Sequence, residues 1–320
     1  MTSIINIFSR LILGSRVRPF LVLGAFTAIS IHAQTLTTLH SFNGADGDLP
    51  VAGLVQSLDG NLYGTTTEGG GYGGGTIYKI STRGALTTVY RFCSQSGCTD
   101  GRQPYVGALL QAADGSIYGN TYHGGVNGLG VIFKLSPSSV LTTLYSFCPQ
   151  AGCAEYPQGT LVQAGGYVYG TTSFGEANNA HGSVFKMAPD GTLTTLCSFC
   201  SQADCADGSH PGAGLILGFD GNFYGTTESG GANCREPGCG TIFKVTPGGT
   251  LTTLYSFCSQ TDCVDGSTPL GGLVQGNDGD LYGTTQLGGS HGLGTVFKIT
   301  PSGTLTKLYS FCAQGGCADG

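Results

Sequence analysis

The sequence is poor in charge and has no helical rhythm. Asp, Glu, Lys and Arg make up 10 % of its 320 residues, and Val, Ile, Leu, Phe and Tyr recur at fixed places, which argues against disorder. Past residue 33, no window repeats apolar residues at helical spacing. The 57 glycines follow no three-residue period, which excludes collagen. No phosphate loop, paired carboxylate or nucleophile beside a base stands out, so no reaction class is marked. Lysine and arginine number 13 against 19 acids, a net charge of −6. Such a chain is a poor match for nucleic acid or for an anionic membrane surface.

What the sequence does contain is repetition. Leu36-Thr37-Thr38-Leu39-His40-Ser41-Phe42 returns as 86–92, 141–147, 193–199, 251–257 and 305–311. Between the copies stand Tyr63, Tyr118, Tyr169, Tyr224 and Tyr282, each followed by glycine. A period near 50 residues marks a solenoid, a propeller or an array. In the last copy, 271–275 and 281–285 flank Asp278-Gly279, a tight hairpin turn in which glycine accepts positive φ. A glycine-rich loop at 288–294 leads to a third strand, 295–299; Pro301-Ser302-Gly303 turns into a fourth, 305–311. Four meandering strands per unit describe a propeller blade, and blades packed face to face bury what one sheet cannot. A right-handed β-helix, the rival, lacks paired tight turns. The expectation is an all-β propeller of four-stranded blades at about 51–92, 105–147, 158–199, 212–257 and 270–311, inside a domain of residues 34–320. The lone phrase at 36–42 reads as a fourth strand without its blade. The five blades are therefore expected to be part of a larger ring and the chain a fragment of a longer protein, the alternative being a five-bladed ring with a spare strand.

The first 33 residues differ in kind. Arg10, Arg16 and Arg18 precede the apolar run 20–31, and Ala33 follows as a cleavage position. This is the layout of a secretory signal peptide, its apolar run short for a spanning helix, with an uncleaved membrane anchor as the alternative. Its removal leaves 10 basic and 19 acidic residues, a net charge of −9. Cysteine usage fits export. Of 13 cysteines, ten form pairs five residues apart directly after the phrase's phenylalanine: Cys93/Cys98, Cys148/Cys153, Cys200/Cys205, Cys258/Cys263 and Cys312/Cys317. Cys234/Cys239 repeats the offset and Cys197 is left over. Local disulfides are the expectation in an exported chain. The localisation expected is extracellular or cell-surface, with the periplasm as the alternative, and no membrane span remains after cleavage.

The meander sorts the loops. Turns between strands one and two, and three and four, share one face and are short. The other two connections share the opposite face and vary between copies, so a site is expected there. Lys79, Lys134, Lys186, Lys244 and Lys298 repeat in every copy and read as blade features with packed stems. Asp46, Asp48, Asp100, Asp207, Asp265 and Asp319 read as turn caps, because no calcium loop's dense alternation of Asp and Asn surrounds them. Histidines His123, His181, His210 and His291 fall in the variable loops without a partner at ligand spacing. Departures from the repeat are better candidates. The third copy carries Phe174, Glu176, Asn178, Asn179 and His181, and reads Glu155-Tyr156-Pro157 where Asp-Gly is usual. The fourth inserts Arg235 and Glu236 between Cys234 and Cys239, while Tyr72 and Tyr122 add aromatic surface. The candidate ligand-binding set is therefore Tyr72, Tyr122, His123, Phe174, Glu176, Asn178, Asn179, His181, Arg235, Glu236 and His291, suited to a carbohydrate or peptide. No catalytic residue, metal ligand or cofactor is assigned.

Leu281–Thr285, the Gly-Gly loop, Gly294–Lys298 and Pro247–Phe257 together resemble the GloVer repeat of choice-of-anchor bacterial surface proteins. The likeness runs over residues 36–320. It implies an exported bacterial protein, often with a C-terminal anchoring signal, and no activity. A second likeness, through Asp59-Gly60-Asn61-Leu62-Tyr63, is to streptogramin lyase-type propellers, whose blades are shorter and whose catalytic histidine has no match in register here. The function expected is a binding or surface-interaction module, with a carbohydrate or a surface protein as partner. A propeller lyase or hydrolase acting on the variable face is the alternative, and a purely structural array the third.

Overall fold

The computed structural model describes residues 36–105, 107–148, 154–175, 181–233 and 239–319. Residues 1–33, where a signal peptide is expected, lie outside them. Contacts divide the chain into Met1–Thr38 and Leu39–Gly320. No strand or helix is formed at 36–38. Among the described residues, no helix is long and apolar enough to cross a membrane.

The second unit consists of five four-stranded antiparallel sheets, each with its strands in chain order. Blade one holds β1 (Val55–Gln56), β2 (Leu62–Thr66), β3 (Thr76–Ile80) and β4 (Leu86–Arg91). Blade two holds β5 (Leu110–Gln111), β6 (Ile117–Thr121), β7 (Val131–Leu135) and β8 (Leu141–Ser146). Blade three holds β9 (Ala154–Ala164), β10 (Tyr167–Gly175), β11 (Ser183–Met187) and β12 (Leu193–Ser198). Blade four holds β13 (Ile216–Leu217), β14 (Phe223–Thr227), β15 (Thr241–Val245) and β16 (Leu251–Ser256), and blade five β17 (Val274–Gln275), β18 (Leu281–Thr285), β19 (Thr295–Ile299) and β20 (Leu305–Ser310). These are the β-propeller blades that the repeat predicts. The phrase at 36–42 differs: among the described residues it forms no strand.

Register follows the repeat. Tyr63 faces Lys79 across β2 and β3, and Tyr118, Tyr169, Tyr224 and Tyr282 face Lys134, Lys186, Lys244 and Lys298. Lys134 pairs with Asp114 at 3.0 Å and Lys298 with Asp280 at 2.7 Å, while Lys186 sits 3.8 Å from the Tyr167 ring centre. In each blade the third and fourth strands slip by one residue, leaving a bulge at Val89, Leu144, Leu196, Leu254 or Leu308. A bulge sharpens the twist and bends the outer strand.

The core lies between blades. Ile77, Ile132, Val184 and Ile242 of the third strands are fully buried. Phe92 of one blade meets Phe133 of the next at 5.3 Å, and Phe147–Phe185, Phe199–Phe243 and Phe257–Phe297 repeat the contact at 4.9–5.9 Å. The second strands donate across the junctions: Asn120 Nδ2 to the Gly159 carbonyl at 3.0 Å and Thr171 Oγ1 to that of Ala213 at 3.1 Å. First strands approach backbone to backbone. A Cβ on Gly159 would stand 2.2 Å from the Gly214 nitrogen, which explains glycine there.

Disulfides link Cys93–Cys98, Cys200–Cys205, Cys258–Cys263 and Cys312–Cys317, as the spacing predicts. Cys148 and Cys239 are also disulfide-bonded; their expected partners Cys153 and Cys234 lie outside the described residues. Each described loop of this kind contains one 3-10 turn, unforeseen from sequence, at Ser96–Cys98, Ala203–Cys205, Thr261–Cys263 or Gly315–Cys317. Cys197 and Cys200 stand at Cys-x2-Cys spacing, yet Cys200 bonds to Cys205, and Cys197 faces Val184 across β12 and β11.

Candidate functional site

The connection from each fourth strand to the next blade ends in a residue followed by proline. Leu49, Gln103, Tyr156, His210 and Thr268 hold this place, and all five adopt left-handed backbone with φ of 54–56°. A non-glycine residue there is strained by about 1–2 kcal/mol, so the surroundings must impose it. They do so through hydrogen bonds. The His210 N–H donates to the His181 carbonyl at 2.8 Å, and its own carbonyl accepts from Glu228 at 2.9 Å. Gln103 and Thr268 are held the same way, Gln103 between Gly74 and Tyr122, Thr268 between Cys239 and Gln286. At Gln103, His210 and Thr268 the backbone is thus locked to both flanking blades.

In blades two to four the position and its neighbours carry rings. Tyr105 lies 6.0 Å from Tyr122, which lies 4.9 Å from Tyr156 at a tilt of 30°. His123 stands edge-on to both, at 4.7 Å and 5.5 Å. Tyr156 continues to Phe174 at 5.8 Å, Phe174 to His210 at 5.1 Å, and His210 to His181 at 5.5 Å. The seven rings form one connected strip. Tyr105 is 45 % exposed and the rest are half-buried. The matching places of blades one and five hold Leu49, Thr67 and Glu68, and Thr268, Gln286 and Leu287.

The third blade builds the middle of the strip by a local change. Where other blades have a two-residue first strand and an isolated bridge, β9 and β10 pair from Ala154–Gly175 out to Ala164–Tyr167. The lost Asp-Gly at Glu155-Tyr156-Pro157 thus becomes strand, and Phe174 is carried opposite Glu155. On the second blade, Arg102 bridges to His123. Burial, reinforced by the Arg102 guanidinium, holds His123 below the ordinary histidine pKa, so it is neutral at pH 7. Burial, then the neighbouring Tyr156 and Tyr105, pushes the Tyr122 hydroxyl up.

The structure therefore brings together four of the sequence candidates: Tyr122, His123, Phe174 and His181. It leaves Tyr72 and His291 apart from the strip, both exposed on glycine loops of blades one and five. Glu176, Asn178, Asn179, Arg235 and Glu236 lie outside the described residues. Tyr105, Tyr156 and His210 complete the strip without having been candidates, although residues just before or after the inter-blade proline were a readable signal.

Two further clusters adjoin the disulfides. His181 offers a nitrogen within 4.8 Å of the sulfurs of Cys200 and Cys205, and Cys239 lies equally close to Cys258 and Cys263. His181 and Cys239 hold the same place, one residue before the third strand's entry glycine. Those sulfurs are spent in disulfides, so both clusters are packing of a side chain on a loop bridge. On the opposite face a groove of about 350 Å³ between blades two and three is lined by Asp114, Lys134, Gln163 and Met187. It belongs to the short turns, and the Lys134–Asp114 pair occupies its polar end.

The Gloeobacter/Verrucomicrobia repeat matches residues 22–180 and again 155–319. None of the curated proteins matches the sequence. Among solved structures, the chain is similar to a protein of unknown function from Dyadobacter fermentans, with 11 % identity and a TM-score of 0.50 over 79 % of this chain and 80 % of that one. It is similar also to a puromycin hydrolase variant, with 14 % identity and a TM-score of 0.50 over 82 % of this chain and 39 % of that one. At such identities the likeness is one of fold.

Proposed function

Because the chain belongs to the Gloeobacter/Verrucomicrobia repeat family, we propose that it is an exported module of the cell surface or surroundings that binds a carbohydrate across its ring strip. Four described disulfides support an oxidising compartment. The observation that carries the binding reading is the strip itself. Seven rings, each 4.7–6.0 Å from a neighbour, crowd the variable face of blades two to four, at positions that blades one and five fill with small, polar or aliphatic residues. Half-exposed rings with polar tips suit a ligand having both an apolar face and hydroxyls, as a sugar ring has. Peptide is the other occupant the chemistry admits.

The test is a glycan and peptide panel probed with the full chain. Tyr122→Ala with Tyr156→Ala is expected to weaken any glycan bound at least tenfold, while Tyr72→Ala, on exposed surface away from the strip, changes nothing. Undiminished binding by a folded double variant would remove the strip as the site. The pair His181 and His210, with ring centres 5.5 Å apart, is the one feature that favours an enzyme instead. Turnover of a panel sugar, lost in His210→Gln with binding retained, would favour that reading.

A further inference from the structure

The residue two before each inter-blade proline pairs with the chain just past a second strand. In four blades the pair is an isolated antiparallel bridge: Asp48 with Glu68, Arg102 with His123, Ser209 with Ser229 and Ser267 with Leu287. In blade three the longer ladder sets Glu155 opposite Phe174 at the same place. Residues directly opposite each other in an antiparallel pair share a face, so each pair presents two side chains side by side. In blades two and three one member of the pair, His123 or Phe174, belongs to the ring strip. The charges at this place differ from blade to blade. Blade one has two acids, blade two a cation beside an imidazole, blade three an acid beside Phe174, and blades four and five no charge.

Arg102 is the unusual member. It is exposed, and among the described residues it forms no ion pair, whereas Lys134 and Lys298 on the opposite face are each held by an aspartate. Its guanidinium acts on His123, which stands edge-on to Tyr122 and Tyr156. The blade-two end of the strip thus carries a positive charge that the protein leaves open, although the chain is acidic as a whole. At physiological salt, charges are screened over about 8 Å, so the groups beside a ligand outweigh the net charge. A guanidinium next to rings suits a sugar that stacks through its apolar face and offers a carboxylate to the planar fork of donors. One blade further, half-buried Glu155 has no cationic partner among the described residues and would repel a second carboxylate. Asp48 and Glu68, both exposed, set the same limit on blade one.

Resting on the reading of the strip as a glycan site, we infer that its ligand is a glycan with isolated uronic acids, one carboxylate pairing with Arg102 beside His123 while neutral sugars lie along Tyr156, Phe174 and His210. The charge pattern selects in two directions. Arg102 favours the acidic sugar over its neutral counterpart, and Glu155 disfavours a polymer charged at every unit. Neither effect needs a new contact among the rings, so the preference for acid and the stacking on the strip can be removed separately.

The test uses the full chain at about pH 8, where His123 is neutral with or without Arg102. Three probes are compared: glucuronoxylan, with sparse uronates on a neutral backbone; the same polymer after carboxyl reduction; and polygalacturonate, charged at every sugar. Glucuronoxylan is expected to bind about fivefold more tightly than its reduced form, and more tightly than polygalacturonate. Arg102→Gln, on exposed surface and with the backbone bridge kept, should level glucuronoxylan and its reduced form. Glu155→Gln should strengthen polygalacturonate. Equal binding of glucuronoxylan and its reduced form, both weakened by Tyr122→Ala with Tyr156→Ala, would overturn the acidic preference and leave the strip as a glycan site. Binding that the double variant does not weaken would overturn both readings, as would no binding of any probe. Binding of an aspartate-containing peptide in place of all three polymers would put a peptide on the strip and overturn the inference as well.

Discussion

The hydroxyl of Tyr255 donates to the buried carboxylate of Asp265 at 2.8 Å, ten residues on. The carboxylate also takes the N–H and hydroxyl of Ser259 and the N–H of Gln260. Tyr90 and Asp100 form the same group around Ser94 and Gln95. The aspartates are therefore caps that tie the cysteine loop to the fourth strand. Where the repeat substitutes Cys197 for the tyrosine, Asp207 still takes the N–H groups of Ser201 and Gln202.

Removing one donor from such a cap leaves a buried carboxylate less satisfied. Tyr255→Phe is expected to cost about 1–2 kcal/mol. The urea midpoint should fall with an unchanged slope; an unaltered midpoint would show that the serine and backbone donors suffice.

Alkali probes the same bonds. Burial first, and the aspartate beside it, push both Tyr90 and Tyr255 to about 12. A pKa raised above its unfolded value of about 10 gives a contribution complete below pH 10 and lost as pH rises through 12. Stability should be flat in this respect from neutrality to pH 10 and fall beyond it. Replacing both tyrosines by phenylalanine should shrink that fall, as followed by unfolding at stepped pH.

His123 has the opposite sign. Its pKa is lowered by burial and by Arg102, so the folded state resists protonation and loses stability as pH drops below about 6.5. Arg102→Gln should raise the His123 pKa part of the way while burial keeps it below the ordinary value. Ring-proton NMR titration reads the shift; no movement would mean the guanidinium is screened.

Glycines should divide by what surrounds them. Gly159→Ala drives a methyl to 2.2 Å from the Gly214 nitrogen at φ of 75°, and should cost at least about 3 kcal/mol. Gly60→Ala, at φ of 79° with nothing within 4 Å, should cost only about 1 kcal/mol. Thermal melts of the two variants check the ranking.

Each cysteine pair closes a loop of about six residues, worth about 2 kcal/mol on the chain-entropy view. Cys258→Ser with Cys263→Ser should lower the melting temperature of the oxidised protein but leave that of the reduced protein nearly unchanged.

The blades were legible in the sequence because each strand is short, bounded by glycine or proline turns, and copied. Tyr63 opposite Lys79 and Phe92 against Phe133 follow once the register is set. The site was half legible. Tyr122 and Phe174 stood out as departures from their repeat, whereas Tyr105 sat among inter-blade residues and His210 looked like any loop histidine. Tyr156 was visible as a break in the Asp-Gly pattern, but that the break converts loop into an eleven-residue β9 depends on its pairing with β10. The lone copy at 36–42 was legible from its phrase, whereas the packing of Phe42 on Tyr78 and of Leu39 against Gly84 depends on tertiary structure and was not.

The locked residue before each inter-blade proline separates two kinds of inheritance. At Gln103, His210 and Thr268 the main chain is held by the blades on either side, so replacing the side chain leaves the junction's hydrogen bonds in place. Leucine, glutamine, tyrosine, histidine and threonine already occupy it in the five blades. A scaffold of this kind can change what it recognises one blade at a time, without renegotiating its fold, and a library varied at these five positions alone would sample surfaces rather than stabilities.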